Sequence, residues 1–286
     1  MWSVPSDRSY ARARIPFLPP GAGVLEMGRG PARSPRSVAP DGTGPGSVRH
    51  AHTSRLIGCI LDVDGVLLAS PHERAWREAL VGFADPGPFD AAMYQAEVAG
   101  KPRLDGALSA LVALGVVDAN QQASAFADRK QARLEAIVRS QGVSAFPDGL
   151  RFVEALARLG FKMAAASSSK NANQMMRSIA LGSGQPLLEA FSANVCGRDL
   201  RHGKPDPELF LLAAAELRLP PQACFVVEDA PAGIAAARAG GMASLGVARQ
   251  RDGAGLQAVA ADLVVTSLDD VSLPDLALGH LRRSPS

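Results

Sequence analysis

Apolar and polar residues follow one another along this chain in three rhythms. From Leu56 to Leu61 the residues are almost all apolar, and the run stops at Asp62-Val63-Asp64-Gly65. A run of that length closed by a turn signal predicts a buried parallel strand. Over 72–144 apolar residues recur at helical spacing, most clearly over 120–139, where charged residues separate Phe126, Leu134, Ile137 and Val138. Asp118 or Asn120 offers that helix an N-cap, and Gly142 a stop. From 146 onward short apolar runs alternate with helical patterns. Strands are predicted at 162–166, 193–195, 224–227, 244–247 and 263–265, and helices at 149–159, 171–179, 207–217 and 232–239.

Such alternation implies a parallel sheet wrapped by helices on both faces, a Rossmann-like α/β core. One strand precedes the helical section and the others follow it, so that section reads as an insertion. The expected division is a core at 55–70 and 145–275, a helical cap at 71–144 and a short tail at 276–286. Residues 1–54 hold Pro, Gly, Ser and Arg with little periodicity, which predicts a disordered tail. A dispensable extension or a misassigned start is expected there, an Arg-rich organelle leader being the other reading.

Charge changes this picture in one respect. Residues 1–55 carry eight arginines against three acidic residues, a balance of +5, so the remainder of this +2 chain is mildly acidic. No basic stripe is left to neutralise phosphates, which argues against a nucleic-acid partner. No apolar run is long enough to span a bilayer, and no membrane partner is expected. Cys59, Cys196 and Cys224 sit in or beside apolar runs without metal-ligand spacing, so they are expected as buried thiols in a reducing, cytoplasmic setting. A monomer or weak dimer is expected.

Four segments that end or follow predicted strands carry candidate chemistry. Asp62 and Asp64 lie two apart, so both project the same way at a strand's carboxyl end, where ligands bind in open α/β sheets. Two close carboxylates repel unless a cation or shared proton relieves them, and hard oxygen ligands suit Mg2+. One can attack phosphorus, and the other can move the proton. The plainer reading is a strand running into an Asp-Gly turn. Ser167-Ser168-Ser169-Lys170-Asn171 offers hydroxyls and amides to an anion, or a simple helix start. Lys204, in Gly203-Lys204-Pro205-Asp206, can neutralise the carboxylate and the transferring group, or mark a surface turn. Glu228 and Asp229 can complete a Mg2+ site, or favour the start of the next helix.

With these four motifs in this order, the chain resembles the haloacid dehalogenase superfamily over about 56–271. The resemblance implies that Asp62 is the nucleophile and Asp64 the general acid/base. It makes Ser167 and Lys204 the phosphate ligands, with Ser168 beside them. It places Asp62, Asp64, Glu228 and Asp229 around Mg2+, with Asp229 the expected direct acidic ligand and Asp64 contributing its main-chain carbonyl. Dehalogenating members lack an acid/base at the position of Asp64, so phosphoryl transfer is implied.

Within that superfamily the β-phosphoglucomutase-like members are most similar. The run His72-Glu73-Arg74-Ala75-Trp76 resembles their His-x-x-Ala-Trp at the cap entrance. Gly100-Lys101-Pro102-Arg103 is similar to a cap loop whose arginine grips a second phosphate, and Ser169-Lys170-Asn171 to a run sharing that grip. A planar guanidinium suits that task. Leu68-Ala69-Ser70 replaces the Thr-Asp-Thr of those members, and the link to His72 is about two residues shorter. That link hinges the cap, and poorer exclusion of water would turn a transferase into a phosphatase. The resemblance thus implies interconversion of β-glucose 1-phosphate and glucose 6-phosphate. A sugar or polyol phosphatase is the close alternative. A non-catalytic binding module fits less well, because binding alone needs no acid/base.

Overall fold

The computed structural model describes residues 55–249 and 253–285; the expected tail at 1–54 lies outside them. The first strand, β1 (Gly58–Leu61), is fully buried. After it come a short strand β2 (Leu68–Ala69), the helices α1 (His72–Ala79), α2 (Ala91–Met93), α3 (Arg103–Ala113) and α4 (Ala119–Gln141), and a second short strand β3 (Ser144–Ala145). The chain then alternates α5 (Pro147–Arg158), β4 (Lys162–Ala165), α6 (Ala172–Arg177), β5 (Ala193–Asn194), α7 (Glu208–Leu217), β6 (Cys224–Glu228), α8 (Pro231–Ala239), β7 (Ala243–Val247), α9 (Gly253–Ala258), β8 (Leu263–Val265) and α10 (Leu273–Ala277). The main sheet has the order β5-β4-β1-β6-β7-β8, and every pair in it is parallel. This is the expected α/β core with a helical insertion.

Period-two alternation divides the core between the sheet's faces. Cys59 and Leu61 pack with Phe152, Val153 and Leu156 of α5. Ile60 between them packs with Leu209, Phe210 and Ala213 of α7. Successive strands move outward from β1 in opposite directions, β4 and β5 one way and β6 to β8 the other. The order therefore reverses at β1, the position where such sheets open a ligand crevice. Register sets its depth. Leu61 lies opposite both Ala165 and Val227, so Asp62, Ala166 and Glu228 leave the sheet at one level.

The inserted helices have their own core, built around Trp76, Leu80, Phe89, Leu111 and Phe126. In α4, Phe126, Leu134 and Ile137 are buried as the helical spacing predicts. Asp118 occupies its N-cap without a side-chain cap bond, and Gly142 ends it at φ 72°. A connection that the sequence did not reveal joins insertion to core: β2 and β3 pair antiparallel, so the outgoing and returning chains form a two-stranded ribbon. Both strands are too short for an alternating pattern to register.

The expected tail is a second difference. Leu276 is buried, Leu56 N donates to Gly279 O (3.1 Å) and Ser272 N to Arg282 O (2.9 Å). Residues 276–285 therefore fold back on the start of the first strand instead of trailing away. The three cysteines are buried and free, and among the described residues no helix is long and apolar enough to cross a membrane.

One partly buried ion pair fastens the start of α5. Asp148 accepts from Arg249 Nη1 (2.5 Å), Leu268 N (2.8 Å) and Ser267 Oγ (3.0 Å). Burial alone would raise its carboxyl, but these donors outweigh burial and hold it below the usual carboxylate range. A depressed folded pKa stabilises the protein above the unfolded value, and the benefit fades as pH falls through the folded one. Asp148→Asn is therefore expected to cost about 1 to 2 kcal/mol at pH 7, because solvent screens a pair that is only partly buried. In denaturant titrations the deficit should shrink below about pH 4. A deficit constant down to pH 2 would contradict this account.

Candidate active site

The four motif loops converge at the carboxyl ends of β1, β4 and β6, beneath the inserted helices. They line a cavity of about 510 Å³, within the range typical of small-ligand sites. Asp62 follows β1 directly and is almost wholly buried. Its Oδ1 accepts from Lys204 Nζ at 2.6 Å, and the same ammonium reaches Glu228 Oε1 at 2.5 Å. Lys204 also lies over the Phe210 ring at 5.0 Å, and its peptide to Pro205 is cis. Asp64 accepts from Ser167 Oγ at 3.1 Å through Oδ2, and Ser167 Oγ in turn accepts from Ser169 N at 3.0 Å. Ser168 Oγ donates to Gly100 O of the inserted section at 3.2 Å, which places the loop 100–103 over the crevice.

Gly65 shows why this turn takes no side chain. It sits at φ +83°, and a Cβ there would stand 1.9 Å from Asp229 Oδ2. Asp229 therefore lies flat against the backbone that follows Asp64. Gly233 clears space for Glu228 in the same way, since its Cβ would fall 1.8 Å from Glu228 Oε1.

The charges do not balance. Asp62 and Glu228 are buried on one buried ammonium, and the partly buried Asp229 stands beside them. Burial pushes the Asp62 carboxyl up to about 8 against the pull of Lys204, with Glu228 and Asp64 adding to the rise. Burial likewise raises Asp229, helped by Glu228 and Asp62. Lys204 stays charged, because Asp62 and Glu228 outweigh the burial that would lower it. An all-oxygen donor set short of positive charge fits a hard divalent cation. Among the described residues no three acidic or imidazole side chains form a ready cage. Mg2+ needs none, since it is often held by one or two carboxylates with water and substrate phosphate. Asp62, Asp229 and the Asp64 carbonyl are the candidates for this. Both oxygens of Glu228 are engaged, Oε1 by Lys204 and Oε2 by Ala230 N (2.7 Å), so it stands behind the site.

The far end of the cavity departs from the arrangement the resemblance implied. Arg103, Ser169 and Lys170 line it, and Asn171 does not. Lys170 Nζ pairs with Asp199 at 2.9 Å, Arg103 lies 3.7 Å from Asp128, and Ser169 Oγ accepts from Asn171 N. The Asn171 carboxamide pairs with that of Gln131 in α4, at 3.1 and 3.4 Å. Asn171 thus ties the inserted helices to the core.

His72 is joined by a residue that the sequence did not reveal. Lys130 Nζ lies 3.0 Å from His72 Nδ1, and His72 Nε2 lies 3.4 Å from Asp64 Oδ1. Burial lowers His72 to about 4, helped by Lys130 and opposed by Asp64, so the imidazole is neutral at pH 7. Lys130, lowered by burial to about 8, donates to Nδ1 and leaves the ring proton on Nε2, facing Asp64. Asp64 Oδ1 and His72 Nε2 are both buried without a hydrogen-bond partner. A polar pair left unmet at a cavity wall has the capacity to receive an incoming oxygen. Lys130 had a legible signal, because it falls on the apolar stripe of α4 between Phe126 and Leu134. Tyr94 and Arg249, which also line the cavity, had none.

Known proteins share this architecture. The haloacid dehalogenase-like hydrolase family matches residues 58–241. A β-phosphoglucomutase of Mycobacterium bovis is 33% identical over 243 residues, spanning 74% of this chain and 90% of its own. A fructose-1-phosphate phosphatase of Escherichia coli is 30% identical over 197 residues, spanning 68% of this chain and 97% of its own. The crystal structure of an archaeal β-phosphoglucomutase from Pyrococcus sp. superposes with a TM-score of 0.62 at 32% identity, covering 77% of this chain and 97% of that one. The catalytic-end geometry, the topology and these similarities agree: the chain is an enzyme that belongs to the haloacid dehalogenase-like hydrolases, among their β-phosphoglucomutase-like members.

Proposed function

We propose that this enzyme moves a phosphoryl group on a small phosphorylated sugar, with Asp62 as nucleophile and Asp64 as acid/base, and that its reaction is of the β-phosphoglucomutase type. The observation that carries the reading is the paired placement of the two carboxylates, Asp62 on Lys204 at 2.6 Å and Asp64 on Ser167 at 3.1 Å. In the first half-reaction an Asp62 oxygen bonds to phosphorus as the bond to the sugar oxygen breaks, and Asp64 gives its proton to that oxygen. In the second, Asp64 takes a proton from an incoming hydroxyl, which bonds to phosphorus and releases Asp62. Lys204 and Ser167 face the transferring oxygens, where charge must be held. His72 and Lys130 orient Asp64 from the side of the inserted helices. Mg2+, held by Asp62, Asp229 and the Asp64 carbonyl, would supply positive charge to the phosphoryl oxygens and keep Asp62 ionised. Glu228 holds Lys204 in place.

In this reading residues 71–144 act as a cap over a core at 55–70 and 145–275, and Arg103 at the far end holds a second phosphate. A mutase must present the sugar from either end, and the β-phosphoglucomutase relatives support that assignment. Hydrolysis is the second reading. It is favoured by the phosphatase relative and by Lys170 and Asn171 being engaged with Asp199 and Gln131. Incubating the enzyme with Mg2+, β-glucose 1-phosphate and a catalytic bisphosphate distinguishes the two. Glucose 6-phosphate is the expected product, and free phosphate without isomerised sugar would eliminate the mutase. Arg103→Ala should lower turnover of the sugar phosphate about 10- to 100-fold, the worth of a charged hydrogen bond. Hydrolysis of a small phosphate ester should change little.

A further inference from the structure

Arg249, just beyond β7, is not part of any motif described so far, yet its side chain touches both chains that connect core and cap. Nε donates to Gly65 O (3.3 Å) and Nη2 to Val66 O (2.8 Å), the two carbonyls immediately after Asp64. Nη1 pairs with Asp148, at the start of α5 on the returning chain. The guanidinium plane covers the Phe146 ring at 4.1 Å, again on the returning chain. Below this group, Gly149 lets α5 approach so closely that a Cβ there would lie 3.1 Å from Val66 O. Above it, Phe146 N bonds Leu67 O at 2.9 Å and the β2–β3 ribbon begins. A planar fork with its donors spread over three acceptors fixes direction as well as distance, which an ammonium does not.

We infer that Arg249 is a positioning residue: by clamping the Asp64 loop to the returning chain at the hinge, it sets where Asp64 and the cap stand, and so how a phosphorylated Asp62 divides between sugar and water. The inference rests on the aspartyl-phosphate reading above. Both acceptors approach along the same line, but water needs little alignment and a sugar hydroxyl needs a great deal. Displacements near 1 Å cost oriented reactions up to about 100-fold. Loosening the hinge therefore penalises transfer more than hydrolysis, and it admits water besides.

The test follows the fate of the phosphoryl group. Wild type, Arg249→Met and Arg249→Lys are phosphorylated with acetyl phosphate and Mg2+, then given glucose 6-phosphate. Sugar bisphosphate and inorganic phosphate are counted. Because both products come from the same folded molecules, their ratio does not depend on the fraction folded, and a loss of stability cannot imitate the effect. The expected result is a transfer-to-hydrolysis ratio about tenfold lower in Arg249→Met. Arg249→Lys should be lowered as well, since lysine cannot span the three acceptors, and it serves alone if the methionine variant does not fold. A ratio unchanged from wild type, whatever the melting temperature, would overturn the inference and leave Arg249 a structural residue. A wild-type enzyme that acquires no phosphoryl group would instead defeat the reading of function on which it rests.

Discussion

Asp62→Asn is expected to abolish turnover, by at least about 10⁴-fold, while leaving the fold intact. The amide matches the carboxylate in shape but cannot attack phosphorus, and no other carboxylate stands on Lys204 at the cavity wall. Glu228 shares that ammonium, but it is wholly buried and does not line the cavity. Stability should hold or rise, because Asp62 is a strained member of its cluster. Burial lifts its carboxyl to about 8, so the native state binds protons that the unfolded chain has released at pH 7. Such a group destabilises as pH rises toward its folded pKa. Removing its charge relieves that penalty. Turnover of a sugar phosphate with Mg2+, measured beside the melting temperature, checks both halves. Retained activity would assign the nucleophile elsewhere, and a collapsed fold would mean that the Lys204 contact is chiefly structural.

The second large effect is expected from Lys204→Met. Lys204 is the one cation that contacts both Asp62 and Glu228 among the described residues. Its loss removes positive charge from the face of the transferring phosphoryl, which should cost about 10²- to 10³-fold in kcat. It also strands buried carboxylates, at about 3 kcal/mol at pH 7. The deficit should change with pH in the same direction as for Asp148→Asn, although here the cause is stranded carboxylates and not a lost one. Without the ammonium the already raised folded pKa of Asp62 rises further, so the deficit is greatest at neutral and alkaline pH and shrinks as the solution is acidified. Added Mg2+ should recover part of the stability but not the rate. Chemical denaturation across pH, with and without Mg2+, measures this directly. A deficit that grows in acid would contradict the charge balance described here.

Much of this was legible in the sequence because each signal was local. The run into Asp62 and Asp64 announced a buried strand and the carboxylates at its end together, and β4, β6, β7 and β8 likewise appeared as apolar runs of the right length. The stripe Phe126, Leu134 and Ile137 gave α4. What stayed hidden depends on contacts distant in sequence. Lys130 meets His72 from 58 residues away, and Arg249 reaches Gly65 and Val66 across more than 180. The place of Lys130 on the α4 stripe could be read, but neither contact leaves a spacing that names its partner. The same holds for 276–285, whose few apolar residues gave no period although Leu276 is fully buried. At the far end, Asn171 carried a motif match, but the facing Gln131 belongs to another element and takes its amide. A motif gives residue types in order; which partner each side chain finds is decided by the fold around it.

The central claim is that phosphorus becomes bonded to the Asp62 side chain during turnover. It is tested most directly by quenching the enzyme in acid during reaction with Mg2+ and a phosphoryl donor, then mapping the modified peptide by mass spectrometry. A hydroxylamine-labile phosphoryl group on Asp62, formed and lost fast enough to account for kcat, is the predicted result. Turnover that proceeds with Asp62 unmodified, or with the group on another residue, would contradict it.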